Sequence, residues 1–397
     1  MATEMGTAIE KEDSAEKTAR KAVSEAEKGL NSGQPDFAVL FVSPEYDVDE
    51  VLEVVKEASG APKVIGCTSA GEFTEKEVKE GSLALALISS DQMKFFTAIG
   101  SGISGDPHSA VQEAASQLPD EVEDHPHMAG INLHDGLRGV GETVSQFAYF
   151  EKKVPFAGGS AADDLKMEET RVLTEEGSET DAVALAVIAS EKPFSFAVGH
   201  GHSPLSDGLE VTDADGSTIN ELEGRPAIEV WRDVIEEKAR EQFGIDVRDL
   251  GEEEFKKLLL MYELGIETGD GEYRVRWPGL TAGKHGLDGP IELAVRIEEG
   301  TEVHVMSTTH REEIESTGRV ASRAREEMDS WSGALVFDCV CHASILEDDF
   351  GEATHRIRDE LESPFAGFES YGEVCHSDQA KIRGYHNTTT SLLLFPD

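Results

Sequence analysis

Three short stretches of the chain place a hydroxyl, glycines and a carboxylate side by side after a proline. They are Pro62…Gly66-Cys67-Thr68-Ser69-Ala70-Gly71-Glu72, Pro155…Gly158-Gly159-Ser160-Ala161-Ala162-Asp163 and Pro364…Gly367-Phe368-Glu369-Ser370-Tyr371-Gly372-Glu373. Proline fixes φ and glycine permits φ > 0, so each stretch can bend sharply and leave backbone N–H groups beside a hydroxyl and a carboxylate. Such a loop could hold the two ends of a small polar molecule. One copy would read simply as a helix-to-strand turn. Three copies in the same order bring in Cys67, Thr68, Ser69, Gly71, Glu72, Gly158, Gly159, Ser160, Gly372 and Glu373 as candidate ligand contacts.

Other chemistry-bearing residues are more scattered. Cys67 could be a nucleophile if a His base approached, yet no local signature supplies one. Cys339, Cys341 and His342, with Cys375 further on, are of the types zinc uses, but the spacing departs from Cys-x₂-Cys. If 334–340 is a strand, Cys339 and Cys341 share a face and could reach Cys375. His200 and His202 close an apolar stretch and, like His342, could serve as an axial ligand to haem iron. Asn387, in a polar turn before the last apolar run, joins His200, Cys339 and His342 as a further candidate ligand contact. No Gly-x-Ser-x-Gly elbow, Walker loop or dinucleotide fingerprint is present, and no catalytic set is complete. The expectation is a non-enzymatic protein without cofactor or metal; a haem site, a Cys339/Cys341/His342/Cys375 metal site, and a thiol enzyme using Cys67 or Cys339 stand as alternatives.

The elements that must position these residues repeat as well. Each copy runs strand, helix, bend, strand: Phe37–Val42 to Leu83–Ile88, Met128–Leu133 to Ala182–Ile188, and Ala334–Val340 to Thr389–Phe395. That order predicts an α/β fold of repeated strand–helix–strand units in mixed sheets, arranged as two packed domains. Between copies two and three lie helical patterns at 227–243, 255–264 and 310–329, with strand character at 273–277, 293–297 and 303–306. A boundary near Gly224-Arg225-Pro226 divides the chain into a tail at 1–12 and domains at 13–225 and 226–397. Packing the third unit on the first two would turn the bends towards one cleft.

Charge narrows the partners. The chain carries 80 Asp and Glu against 35 Lys and Arg, which repels nucleic-acid phosphates and anionic lipid. No apolar run approaches the ~18 residues of a membrane span, and no secretory signal opens the sequence. Four cysteines do not make a disulfide scaffold. The expectation is a cytoplasmic protein with a surface adapted to molar salt, as in a halophile.

The order of Phe37–Val42, the Gly66–Glu72 bend, Pro155–Ala161, Gly199-His200-Gly201 and Val211-Thr212 resembles the FIST N domain. Tyr273–Arg276, Glu299-Gly300, Phe337-Asp338-Cys339, Gly367-Phe368…Tyr371-Gly372-Glu373 and His386-Asn387-Thr388 are similar to the FIST C domain. The resemblance runs from about Asp13 to the end. It implies a sensory module that binds a small ligand, amino acids being the usual suggestion, with nitric-oxide-sensing haem proteins among its members. It also implies signalling through a separate partner protein, because the two halves occupy the whole length. His342 stands where the family pattern implies an Arg after the strand-end Cys.

Overall fold

The computed structural model describes residues 3–31, 33–269, 271–284 and 286–397, so Met1 and Ala2 of the expected tail lie outside it. Three successive units share one plan. The first runs strand Glu4–Glu10, helix Ala15–Ala26, strand Phe37–Val42, helix Val48–Ser59, strand Lys63–Thr68, hairpin Glu72–Thr74/Val78–Lys79 and strand Leu83–Ser89. The second repeats it from Met93–Ser101 through Pro107–Ser116, His127–Asp135, Gly141–Lys152, Phe156–Ala161 and the hairpin Val172–Thr174/Gly177–Glu179 to Ala182–Ser190. The third opens with Ser195–Gly199 and resumes at helix His310–Glu326. It then continues through Trp331–Cys339, Phe350–Leu361, Phe365–Ser370 and the hairpin Glu373–His376/Gly384–His386 to Thr390–Pro396. Between its two parts is an inserted lobe with a sheet of its own and the helices Ala227–Phe243 and Glu252–Met261.

In each unit the two inner strands are parallel, and the last strand runs antiparallel beside the first of them. The far edge of each unit's sheet is completed by a hairpin borrowed from another unit. The second unit's hairpin pairs with Lys63–Thr68, the third's with Phe156–Ala161 and the first's with Phe365–Ser370. The exchange is cyclic and locks the units together. Helices cover the outer faces, while the inner faces meet in an apolar centre where Phe41, Phe337 and Phe368 lie with ring centroids 4.6–6.2 Å apart. Burying each such ring contributes about 1.5–3 kcal/mol.

Local chemistry explains the elements. Ser14 and Asp47 cap their helices by accepting from Lys17 N and Glu50 N, and Gly60 ends the second in the left-handed region. The bend glycines serve close strand approach: a Cβ on Gly66, Gly158 or Gly367 would stand 2.2, 1.9 or 2.5 Å from the carbonyl oxygen of Leu40, Asn132 or Val336. Several expectations change. Glu4–Glu10, expected within a tail, is an edge strand paired with Leu83–Ser89. Residues 293–297 are irregular, and only Ile291–Glu292 is a strand there. The strand carrying Cys339 ends at that residue and Cys341 belongs to a short helix, so the two thiols do not alternate along a strand. The third sheet takes Ser195–Gly199 and the Glu72–Lys79 hairpin from the first half of the chain, so the halves interlock.

Candidate functional site

The three bends meet in a ring. Ala70 N donates to Glu369 O (3.1 Å) and Glu369 N to Gly71 O (2.8 Å). Ser160 N donates to Gly372 O (2.7 Å), Tyr371 N to Ser160 O (3.1 Å) and Ala162 N to Thr68 O (3.0 Å). Strand register aligns Gly66, Gly158 and Gly367, so Ala70, Ala162 and Tyr371 are equivalent; they cluster with Cys339, Val340 and Cys341 at the junction.

In that alignment the repeated Ser and Glu are fold-holding groups. Ser69 Oγ donates to Glu72, whose other oxygen accepts from Ser82 N (2.9 Å) and Oγ (2.7 Å). Ser370 donates to Glu373 (2.6 Å), which accepts from Thr389 N (3.2 Å) and Oγ1 (2.8 Å). Burial pushes Glu72 up to about 7 and Glu373 well above the carboxylate range. Both carboxyls point into the fold and clamp the bend to the start of the unit's last strand.

The second bend lacks the clamp. Ala161 and Asp164 occupy the serine and glutamate positions, and Ser160 aligns with Thr68 and Glu369, one place away from Ser69 and Ser370. Ser160 Oγ lies 2.7 Å from His134 Nε2 and 2.9 Å from Tyr385 Oη, and His134 Nδ1 lies 2.9 Å from Asn132 Oδ1. The set has the connectivity of a nucleophile, base and orienting group. It is sealed: Ser160 is 1% exposed and His134 0%. Beyond it, the Asp163 carboxylate gathers Met167 N, Glu168 N and Glu169 N at 2.6–3.0 Å and accepts from Tyr371 Oη (2.5 Å). That grip holds Asp164, Leu165 and Met167 in the left-handed region.

Beside the ring lies a groove of about 520 Å³ to which every unit contributes, through Ala70, Asp164 and Glu369. Glu369 is 8% exposed, and among the described residues its carboxyl has no hydrogen bond or ion pair. Burial first, then Asp338 and Glu72, push it up to about 8. Gly71 makes its place: a Cβ there would stand 2.5 Å from Glu369 Oε1. Lys11 and Lys166 supply positive charge along the same groove.

Behind Glu369 a row of buried charges enters the fold. Asp338, opposite Glu369 in strand register, lies 2.7 Å from His342 Nδ1, and His342 Nε2 lies 3.7 Å from Glu313 Oε2. Glu313 Oε1 is 2.8 Å from His202 Nδ1, and Thr388 Oγ1 donates to Glu263 (2.7 Å). Burial disfavours the His342 cation, but Asp338 and Glu313 outweigh it and raise the ring to about 9.

Sequence-predicted residues divide accordingly. Ser69, Gly71, Glu72, Ser160, Gly372, Glu373 and Cys339 meet at or beside the ring. Thr68 accepts from Arg171 N (3.0 Å), and Gly158 and Gly159 pack against neighbouring strands. Cys67 is in the apolar centre, and burial lifts its thiol and that of Cys339 well above the ordinary value, which removes the thiolate a nucleophile needs. Of the residues named for a metal, Cys375 sits in the apolar centre while Cys339 and Cys341 cluster at the junction, and among the described residues no group of three His, Cys, Asp or Glu is arranged for an ion. The three histidines named for haem iron are engaged to different degrees. Both nitrogens of His202 and His342 face acceptors, and His200 Nε2 meets Tyr273 O (2.8 Å), leaving only His200 Nδ1, in a cavity of about 230 Å³. Asn387 is buried with its Oδ1 unpartnered, away from the groove lining. Sequence named His202 only as a haem ligand and did not single out Glu369, Glu313 or Asp338; the available signal for Glu369 was its departure from Thr68 and Ser160 at the equivalent place.

The FIST N domain model matches residues 36–225 and the FIST C domain model residues 227–376. An uncharacterized protein of Methanocaldococcus jannaschii is 22% identical, over 90% of this chain and 73% of its own. Two uncharacterized proteins of Mycobacterium tuberculosis are each 24% identical, over 99% of this chain and 100% of theirs. Among solved structures, PurLQS from Thermotoga maritima overlaps at a TM-score of 0.20 with 10% identity, over 99% of this chain and 73% of its own, which carries no argument. Among the described residues no helix is long and apolar enough to cross a membrane.

Proposed function

The chain belongs to the FIST family, whose domains are small-ligand sensory domains of signal transduction, and from that premise we propose that it is a non-enzymatic sensor for a small ammonium-bearing metabolite such as an amino acid. Glu369 carries the reading. A carboxyl held nearly dry, without a partner, at the floor of a groove gains most from a cationic hydrogen-bond donor. An ammonium group arriving there would displace the carboxyl proton, and Lys11 or Lys166 would take a carboxylate at the ligand's other end. Because Ala70, Asp164 and Glu369 come from separate units, a ligand touching all three favours the arrangement in which the units close on it. The signal then passes to a partner protein. The excess of 80 acidic over 35 basic residues supports work in concentrated salt inside a cell.

Thermal-shift and calorimetric titration with individual amino acids, each beside its des-amino analogue, tests this. The amino acid is expected to stabilise the protein and the analogue to do nothing. Glu369→Gln should lower affinity about 10- to 100-fold, the range for a charged hydrogen bond. Equal response to both compounds, or unchanged affinity in the variant, would overturn the assignment.

A further inference from the structure

Separate from the groove, a cavity of about 230 Å³ lies between the end of strand Ser195–Gly199, helix His310–Glu326 and the inserted lobe. Its lining includes Arg319 and Arg323, one helical turn apart, with His200, Ser203 and Ser316. In a chain with 80 acidic residues, Arg319 has no ion pair or hydrogen bond among the described residues. The lining carboxylate, Glu272, is already taken by Lys381 at 2.7 Å, with Arg323 at 3.9 Å. His202 also lines the cavity, but its Nδ1 is taken by Glu313 and its Nε2 by the Leu260 carbonyl, so it offers an anion no competing acceptor. We infer that this cavity is a second ligand site, for a small oxyanion that carries a hydrogen of its own, of which inorganic phosphate is the simplest example.

The hydrogen is required by His200. Its Nε2 must donate to the Tyr273 carbonyl (2.8 Å), so in the neutral ring Nδ1 is an acceptor, and it is buried without a partner. Burial and the neighbouring His202 charge both disfavour a second proton on that ring. Because His200 lines the same cavity as the two arginines, an oxyanion held there would lie beside one unsatisfied acceptor as well as donors. Inorganic phosphate keeps at least one O–H at neutral pH and satisfies it. Sulfate has none, and a phosphomonoester above its second pKa of about 6 has none either. Each would set an oxygen lone pair against the Nδ1 lone pair.

Titration of the protein at pH 8 and constant ionic strength, with phosphate, sulfate and methyl phosphate as separate probes, decides the matter. The expected result is saturable stabilisation by millimolar phosphate, at least about tenfold weaker for the other two. Arg319→Ala, on an exposed side chain whose loss leaves folding intact, should weaken phosphate binding by at least about tenfold. Arg323→Gln should act in the same direction. No saturable response to phosphate, equal response to all three anions, or unaltered binding in Arg319→Ala would each overturn the proposal. None of these outcomes involves Glu369, so the two sites stand or fall separately.

Discussion

In the first and third bends a serine and a glutamate three residues on are joined, and the glutamate ties the bend to the head of the unit's last strand. In the second, Ala161 and Asp164 hold those positions, and the chain rises into a left-handed segment gathered round Asp163. The recurring residues make the bend itself, and the exceptions open the groove. Asp164 lines it because no clamp draws it inward, and Glu369 lines it because a long acid stands where the other bends carry Thr68 and Ser160. In a repeat protein, side chains common to every copy answer a need common to every copy, which is folding. Ligand contacts are better sought where one copy breaks the pattern.

The strongest way to break this comparison is to remove one clamp and its counterpart. Glu373→Ala leaves the buried Thr389 N–H and two hydroxyls without their acceptor and should cost about 3 kcal/mol, read from urea midpoints. Asp164→Ala should cost no more than about 1 kcal/mol, since its contacts are a 3.3 Å bond from Ser43 and a partly exposed pairing with Lys166, and alanine is only somewhat less at ease than aspartate in the left-handed region. Similar losses in the two variants would show that the second bend is clamped after all.

A smaller effect concerns protons. Glu72 titrates near 4.5 when unfolded and is pushed up to about 7 by burial in the fold. The native state thus binds the proton more tightly, and the associated stability is complete below pH 4.5 and lost as pH rises to about 7. The loss is on the order of 2–3 kcal/mol. Glu72→Gln, which retains an acceptor for Ser82 and cannot ionise, should flatten the slope of urea stability against pH across that window. An unchanged slope would mean that Glu72 is not held as a buried acid.

Much of the frame was legible because strands buried on both faces read as continuous apolar runs. Phe37–Val42 and Ala227–Phe243 fall where the pattern put them. Hidden were Met93–Ser101, an edge strand of mixed exposure, and the hairpin strands of two to four residues, whose partners belong to other units. Local periodicity contains nothing about such pairings. The site was less legible for an electrostatic reason: in a chain this acidic, a glutamate is ordinarily a solvated surface group, and neither Glu313 nor Glu369 differs locally from the others. His202 and Glu313 meet in the fold although the inserted lobe separates them widely in the chain. In the second bend the serine was matched one place out of register, since Ser160 precedes a small residue and an acid much as Ser69 does.

The finest test acts on Glu369 without altering it. Gly71 lies against its carboxyl, and the Cβ of Gly71→Ala would stand 2.5 Å from Oε1 and 2.6 Å from Cδ. The obstructing atoms are the end of a flexible side chain, so the carboxyl can swing into the groove at a stability cost within about 1 kcal/mol. Once in contact with water it loses the burial that holds it near 8 and falls back towards 4.5. An ammonium ligand at pH 7 should therefore release close to one proton from the native protein and far less from Gly71→Ala. Calorimetry in two buffers of different ionisation enthalpy measures that number directly. Affinity should drop several-fold, because the ligand now competes with water for a solvated carboxylate. Equal proton release by the two proteins would show that Glu369 is not the group the ammonium meets.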